Sequence, residues 1–318
     1  MGGKNKTYWV GLDLGGTKML AKVYNGDFKQ LGSAKRKTEG HRGLKNVVER
    51  MGQTIRDAMD EAGVSDKDLS GIGIGCPGPV DPQAGVLLAA PNLGWQDVPV
   101  RLIFEKEFDC PVVACNDVDS GVFGEYKFGA AAGARSAVGI FPGTGIGGGA
   151  VIHGRLLEGA NITCMEIGHT PFGEAGLTLE EVCSRLAIAS ESAAAAYRGQ
   201  APYILDKCGT DMAKITSGKI AAAIENGDKA IEKIVKQAAC RLGSGVATVV
   251  QLMAPEVIVL GGGLVEAMPK LFLKTLEKSV DEKVLAPFRG KYRIVEAKLG
   301  DDAGVQGAAA WAAKSIEG

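Results

Sequence analysis

The feature that most constrains this chain is a pair of glycine/threonine turns, each set between two apolar runs. Gly143-Thr144-Gly145-Ile146-Gly147-Gly148-Gly149 lies between Ala137–Phe141 and Ala150–Ile152, and Asp13-Leu14-Gly15-Gly16-Thr17-Lys18 lies between Tyr8–Leu12 and Met19–Tyr24. Five glycines in seven residues are more than a strand or helix interior is expected to carry, at a cost of about 0.5–1 kcal/mol each relative to alanine. Bare backbone of this kind lets successive N–H groups point into one concavity and hold phosphate oxygens, with Thr144 adding a hydroxyl donor; a plain tight hairpin is the alternative. The repetition favours the anion reading. Val10-Gly11-Leu12 corresponds to Val138-Gly139-Ile140, and the strands after the turns end in Asn25-Gly26 and His153-Gly154. The chain therefore reads as duplicated, with two half-molecules that each offer a phosphate-binding hairpin to a central cleft. Neither turn is a Walker A loop, and neither leads directly into a helix as a dinucleotide fingerprint requires.

A length of 318 residues calls for two domains. The expected boundaries are 1–118 for a small N-terminal α/β domain and 119–302 for a larger one, with a last helix at 303–318 packing back on the first. The formal net charge of −1 argues against nucleic acid or an anionic membrane as partner. No apolar run is long enough to span a bilayer, Met1–Lys6 leads into no apolar signal segment, and Lys6 breaks the myristoylation pattern. Seven cysteines without a C-x-x-C pair fit reduced thiols and a cytoplasmic location.

Strand and helix alternate along the chain. Asp27–Lys37 reads as a third strand, and Leu44–Ala62 has helical spacing ended by Gly63. Leu69–Cys76 is a buried strand that delivers the rigid turn Pro77-Gly78-Pro79 to the cleft, where Gly78 would border the substrate. After a loop with Pro91-Asn92-Leu93-Gly94-Trp95, Pro111–Cys115 is a strand ending in Asn116-Asp117. A helix is expected at Ser120–Phe128, a hinge or connector at Gly129–Gly133, one helix from about Thr178 to Tyr197, a long one at Asp228–Met253, a strand at Pro255–Leu260 running into Gly261-Gly262-Gly263, and a helix at Val305–Lys314. This is the pattern of α/β sheets whose functional loops sit at strand ends.

Asp117 can be read as a helix N-cap, or as a general base that takes the proton of an attacking hydroxyl. Asp13 is either a turn-initiating residue or one that reaches the Mg²⁺ of a nucleotide triphosphate. Lys18 meets phosphate or is a solvated hairpin residue. Gly261-Gly262 either lets a nucleotide approach or forms a plain bend. His169, by itself, is more simply structural, and Trp95 either stacks on a sugar face or fills core.

Eight separated motifs occur in one order: Asp13-Leu-Gly-Gly-Thr-Lys18, Pro77-Gly-Pro79, Pro91-Asn-Leu-Gly-Trp95, Asn116-Asp117, Gly143-Thr-Gly-Ile-Gly-Gly-Gly149, Glu166-Ile-Gly-His169, Gly261-Gly-Gly263 and Asp302-Ala-Gly304. In this the chain resembles the ROK family of bacterial glucokinases and related sugar kinases over nearly its whole length. The resemblance implies an α/β, duplicated actin/hexokinase-like (ribonuclease H-like) two-domain fold. It implies an ATP- and Mg²⁺-dependent kinase acting on the 6-hydroxyl of a hexose, glucose first, with Asp117 as catalytic base. Sugar hydroxyls would be held by Asn92, Asn116, Asp117, Glu166, His169 and Glu180. Phosphates would lie against Gly15, Gly16, Thr17, Gly143, Thr144 and Gly145, and the nucleoside near Gly261 and Gly262. A homodimer is expected, as is common in the family.

The same family contains kinases for fructose, allose, N-acetylmannosamine and N-acetylglucosamine, so these remain alternatives, as does a non-catalytic sugar sensor. Its DNA-binding repressors carry an extra helix-turn-helix domain before the first turn, for which the stretch ahead of Asp13 leaves little room. The family's Cys-rich zinc loop after the histidine is missing: Thr170–Thr178 holds no cysteine, and Cys164 and Cys183 flank the position. No bound zinc is therefore expected.

Overall fold

The computed structural model describes residues 7–160, 162–173 and 176–318. Met1–Lys6, read above as carrying no signal segment, and Glu174-Ala175 of the cysteine-free loop lie outside the described residues, as does Asn161. In chain order the elements are β1 (Tyr8–Leu14), β2 (Lys18–Asn25), β3 (Gln30–Lys37), α1 (Leu44–Ala62), β4 (Leu69–Cys76), β5 (Val80–Asp81), β6 (Val86–Ala90), β7 (Trp95–Val98), α2 (Val100–Phe108), β8 (Val112–Asn116) and α3 (Asp117–Phe128). There follow β9 (Ser136–Pro142), β10 (Ile146–Ile152), β11 (Arg155–Leu156), β12 (Pro171–Phe172), β13 (Leu177–Thr178), α4 (Leu179–Cys183), α5 (Arg185–Tyr197), α6 (Pro202–Cys208), α7 (Ser217–Glu225) and α8 (Lys229–Met253). The chain ends with β14 (Val257–Leu260), α9 (Gly263–Ala267), α10 (Pro269–Lys283), β15 (Arg293–Glu296) and α11 (Asp302–Glu317). Among the described residues no helix is long and apolar enough to cross a membrane.

Two five-stranded sheets carry the fold, ordered β3-β2-β1-β4-β8 and β11-β10-β9-β14-β15. In the first, β2 is antiparallel to β1 and β4 runs parallel to both β1 and β8. In the second, β10 is antiparallel to β9 and β14 runs parallel to both β9 and β15. The duplication read from the two turns is thus a duplication of topology. By internal contacts the chain divides into one unit that takes it up to Gly133 together with Gly154–Cys164 and Leu299–Gly318, and a second that takes Ala134–His153 and Met165–Lys298.

In the first unit, side-chain alternation along β1 sorts its residues between two layers. Val10, Leu12 and Leu14 join Val47, Met51, Ile55 and Met59 of α1 in one core, whereas Trp9 packs with Ala309, Ala312 and Ala313 of α11. Glycine takes the places where α11 comes closest. A Cβ at Gly11 would run into the Val305 carbonyl, one at Gly73 into the Ala308 carbonyl, and one at Gly307 into the Ser120 carbonyl of α3. The small-residue helix is therefore seated by backbone contact, with Trp311 set edge-on to Phe123 of α3 at 5.1 Å between centroids. The glycine run after α3, read as a hinge or connector, is pinned at its start. Fully buried Glu125 accepts the N–H of Ala130 at 2.7 Å with one oxygen and that of Leu299 at 2.7 Å with the other.

In the second unit, α8 buries a stripe of Ile231, Val235, Ala238, Leu242, Val246 and Val250 at helical spacing. Two sequence expectations are corrected here. Gly147, Gly148 and Gly149 belong to the interior of β10, not to the turn, which is only Gly143-Thr144-Gly145. The reason is packing: a Cβ on Gly148 would stand 2.7 Å from the Met165 carbonyl oxygen and 2.9 Å from the Ile167 Cγ2. The single helix expected from Thr178 to Tyr197 is two helices. Ser184 has an extended backbone, φ −71 and ψ 171, that ends α4 and caps α5 through the Ala187 N–H at 3.3 Å. Element ends also shift: β3 starts at Gln30, α3 at Asp117, β14 at Val257 and α11 at Asp302.

Candidate active site

Within the first unit, the ends of β1, β4 and β8 bring together most of the residues the sequence singled out. The first turn is closed by Gly15 N–H to the Lys18 carbonyl at 3.0 Å and held from outside by Thr38, whose hydroxyl donates to the Gly15 carbonyl at 2.6 Å and whose N–H donates to the Thr17 carbonyl at 2.8 Å. Gly16 lies against Asn92, with its virtual Cβ 3.9 Å from the Asn92 Cβ. Asn116 Nδ2 donates to the Gly78 carbonyl at 3.0 Å.

The cap of α3 is Asn116, not Asp117. Asn116 Oδ1 accepts from Val118 N–H at 2.8 Å and from Asp119 N–H at 3.2 Å. Asp117 is the first residue inside the helix, and its Oδ1 takes a contact from the Val118 N–H at 2.9 Å. The capping role is thus carried by Asn116, and Asp117 follows it as an acidic residue of the first helical turn.

Asp13, the last residue but one of β1, lies over the start of α11, where a Cβ on Gly304 would stand 3.2 Å from the Asp13 carboxyl carbon. Burial pushes the Asp13 carboxyl up to about 6; Lys18 opposes the rise and Asp301 adds to it. Lys18 itself is ion-paired to Asp301 at 2.6 Å, on the exposed side, and that partner holds its ammonium above the ordinary lysine range. Lys22 is buried with its ammonium 2.7 Å from Asp302. Trp95 belongs to the core: it is only 5% exposed, packed among Leu93, Val98 and Phe104 in β7 and its surroundings, and the reading as a sugar-stacking loop residue is set aside.

Within the second unit, the turn Gly143-Thr144-Gly145 is clamped from several sides. Gly143 N–H donates to the Gly145 carbonyl at 2.8 Å, and Glu180 accepts the Ile146 N–H at 2.6 Å from beneath Gly145, where any Cβ would run into the carboxylate. Gly143 has open space on its Cβ side. Arg185, which the sequence reading passed over, donates its N–H to the Gly143 carbonyl at 2.9 Å and its Nη2 to the Thr144 hydroxyl at 3.0 Å. A cation in the first turn of a helix runs against the helix dipole, but the expectation of one helix from Thr178 to Tyr197 set Arg185 in a helix interior, and the break at Ser184 that makes it a helix start came only with the structure.

Glu166 is the centre of an inverse γ-turn, φ −70 and ψ 57, with Ile167 N–H donating to the Met165 carbonyl at 2.7 Å. Met165 holds φ +62 to make that turn, and the exposed His169 follows with its N–H on the Glu166 carbonyl at 3.1 Å. Gly261 and Gly262 have packing reasons of their own. A Cβ on Gly261 would meet the Phe141 ring at 2.6 Å, and Gly262, at φ +78, passes over the Pro142 carbonyl. Cys164 and Cys183 each donate to a carbonyl, Leu157 at 3.0 Å and Leu179 at 2.9 Å, and no group of three metal-ligating side chains exists among the described residues.

Residues 9–315 match the model of the ROK family. The chain belongs to that family. It is 31% identical over 318 residues to a glucokinase of Thermotoga maritima, covering 97% of this chain and 98% of the relative. A ROK family glucokinase from Streptomyces griseus, solved in complex with glucose and AMPPNP, superposes with a TM-score of 0.81 at 28% identity over 96% of this chain and 99% of that one. A ROK hexokinase from Thermus thermophilus superposes with a TM-score of 0.80 at 32% identity, covering 98% and 99%. The fold of this ROK protein is accordingly actin/hexokinase-like, mixed α/β.

Proposed function

We propose that this ROK protein is an ATP-dependent kinase that transfers a phosphoryl group to the 6-hydroxyl of a hexose, with glucose as the preferred acceptor. The observation that carries the reading is Asp117, a carboxylate at the end of β8 whose neighbour Asn116 already caps the helix. Kinship with a glucokinase solved with glucose and AMPPNP supports both the acceptor and the donor.

In this reading Asp117 accepts the proton of the 6-hydroxyl as its oxygen bonds to the γ-phosphorus and the bond to the leaving ADP oxygen breaks. Asn92, Asn116, Glu166, His169 and Glu180 orient the sugar hydroxyls, with Gly78 bordering the sugar. The N–H groups of Gly15, Gly16, Thr17, Gly143, Thr144 and Gly145 receive phosphate oxygens, and Gly261-Gly262 borders the nucleoside. Asp13, a carboxylate beside the first turn, would hold a hydrated Mg²⁺ through water, and the cation's charge would oppose the rise that burial gives this carboxyl. Mg²⁺, when bound there, neutralises phosphate charge. Lys18 can join the phosphates only by leaving Asp301.

The test is ADP release measured across a panel of hexoses and N-acetylhexosamines. Glucose should give the highest kcat/KM. A higher value for N-acetylmannosamine, N-acetylglucosamine, fructose or allose would move the acceptor, and sugar binding without turnover on any of them would make the protein a sugar-sensing regulator.

A further inference from the structure

We infer that Arg185 is a phosphate-binding residue of the second turn, one that sets the hydrogen-bond direction of Thr144 and supplies the positive charge that Gly143-Thr144-Gly145 itself lacks. The inference rests on the proposed nucleotide-dependent reaction and names a further side chain for it.

Three observations converge. First, the side chain has only neutral partners: Nη2 donates to the Thr144 hydroxyl at 3.0 Å and Nη1 to the Ile215 carbonyl at 3.5 Å, and no carboxylate pairs with it among the described residues. Half-buried guanidinium groups normally find an anion. The other interior-facing arginine of this unit, Arg241, does so, with Glu191 at 2.9 Å. Second, Arg185 is the first residue of α5, capped by Ser184, with no acidic residue in the first turn. The partial positive charge of the helix start adds to its own, an arrangement that costs free energy unless an anion shares the site. Third, the contact is to the turn itself. A guanidinium only donates, so the Thr144 oxygen must accept, and the Thr144 O–H is left to donate elsewhere. Gly143 beside it has open space on its Cβ side. Glu180, the carboxylate beneath the turn, holds the Ile146 N–H with one oxygen and makes no ion pair with Arg185. An oxyanion above the turn would therefore meet the Thr144 hydroxyl as donor and the Arg185 charge behind it.

The experiment is calorimetric binding of AMPPNP, adenosine and glucose to the wild-type chain and to Arg185→Ala, Arg185→Lys and Thr144→Val, together with melting temperatures. Arg185→Ala should weaken AMPPNP by about tenfold or more, leave adenosine and glucose within about twofold, and recover part of the loss as Arg185→Lys. The double variant Arg185→Ala/Thr144→Val should lose less than the two single losses combined, since both act on one contact. AMPPNP bound equally well by wild type and Arg185→Ala overturns this inference alone. Equal losses for AMPPNP, adenosine and glucose also overturn it, by making Arg185 a structural clamp. If Arg185→Ala melts early, the comparison of AMPPNP with adenosine in Arg185→Lys decides in the same way. A wild-type chain that binds no nucleotide overturns the kinase reading and this inference with it.

Discussion

The Asn116 side chain joins Gly78 to the start of α3: its Nδ2 donates to the Gly78 carbonyl at 3.0 Å while its Oδ1 accepts two helix N–H groups. One amide thus fixes the Pro77-Gly78-Pro79 turn against the strand end that carries Asp117. Asn116→Ala should lower stability by about 1–2 kcal/mol, and Asn116→Asp, which keeps the cap and loses the donor, by less. Urea unfolding of the two variants measures this; an alanine variant as stable as wild type would remove the cap from the account.

Asp117→Asn should leave stability and sugar affinity close to wild type while lowering kcat by ~10²-fold or more, because the amide keeps the shape and cannot take the proton. Steady-state kinetics alongside direct glucose binding separates the two effects. Turnover near the wild-type value would leave Asp117 without a catalytic part.

The raised Asp13 carboxyl has a sign for stability. Its folded-state value, about 6, lies above the ordinary 3.8, so the fold favours the protonated form. Its contribution is fully present below about pH 4 and is lost as pH rises through about 6. Without Mg²⁺ or nucleotide, the gain of Asp13→Asn over wild type should therefore grow between pH 4 and pH 7 and be flat above. Chemical denaturation at several pH values reads the difference, and a gain independent of pH would show that burial does not raise this group.

Gly11→Ala should cost about 2–3 kcal/mol or more, since the added methyl runs into the Val305 carbonyl where α11 rests on β1. Gly143→Ala, with open space on its Cβ side, should cost far less stability. Thermal melts of both variants rank them, and the reverse order would contradict the seating of α11.

Metal analysis of the purified protein should find no stoichiometric zinc. Cys183 is buried with its thiol on the Leu179 carbonyl, Cys164 donates to Leu157, and burial pushes the Cys183 thiol up to about 12, far from a ready thiolate ligand. One equivalent of zinc per chain, or activity lost to a zinc chelator and restored by zinc, would overturn this.

What the sequence by itself determined is what local backbone chemistry dictates. Two glycine/threonine turns between apolar runs declare two hairpins, and their repetition declares a duplicated sheet topology, because hairpin register and strand alternation are set by near neighbours. The spacing of Val47, Met51, Ile55 and Met59 likewise marks α1 without reference to the rest of the chain. The tertiary structure decided what depends on contacts between distant residues. Gly148 is a strand residue because the Met165 carbonyl lies over it, and Trp95 is core because the residues around it close over the ring. Asn116 rather than Asp117 caps α3, a choice of one residue that only backbone angles make. Arg185 meets Thr144 because α5 begins against the second turn, a distance of 41 residues along the chain. Periodicity carries no record of such meetings, since each is set by how elements pack once formed.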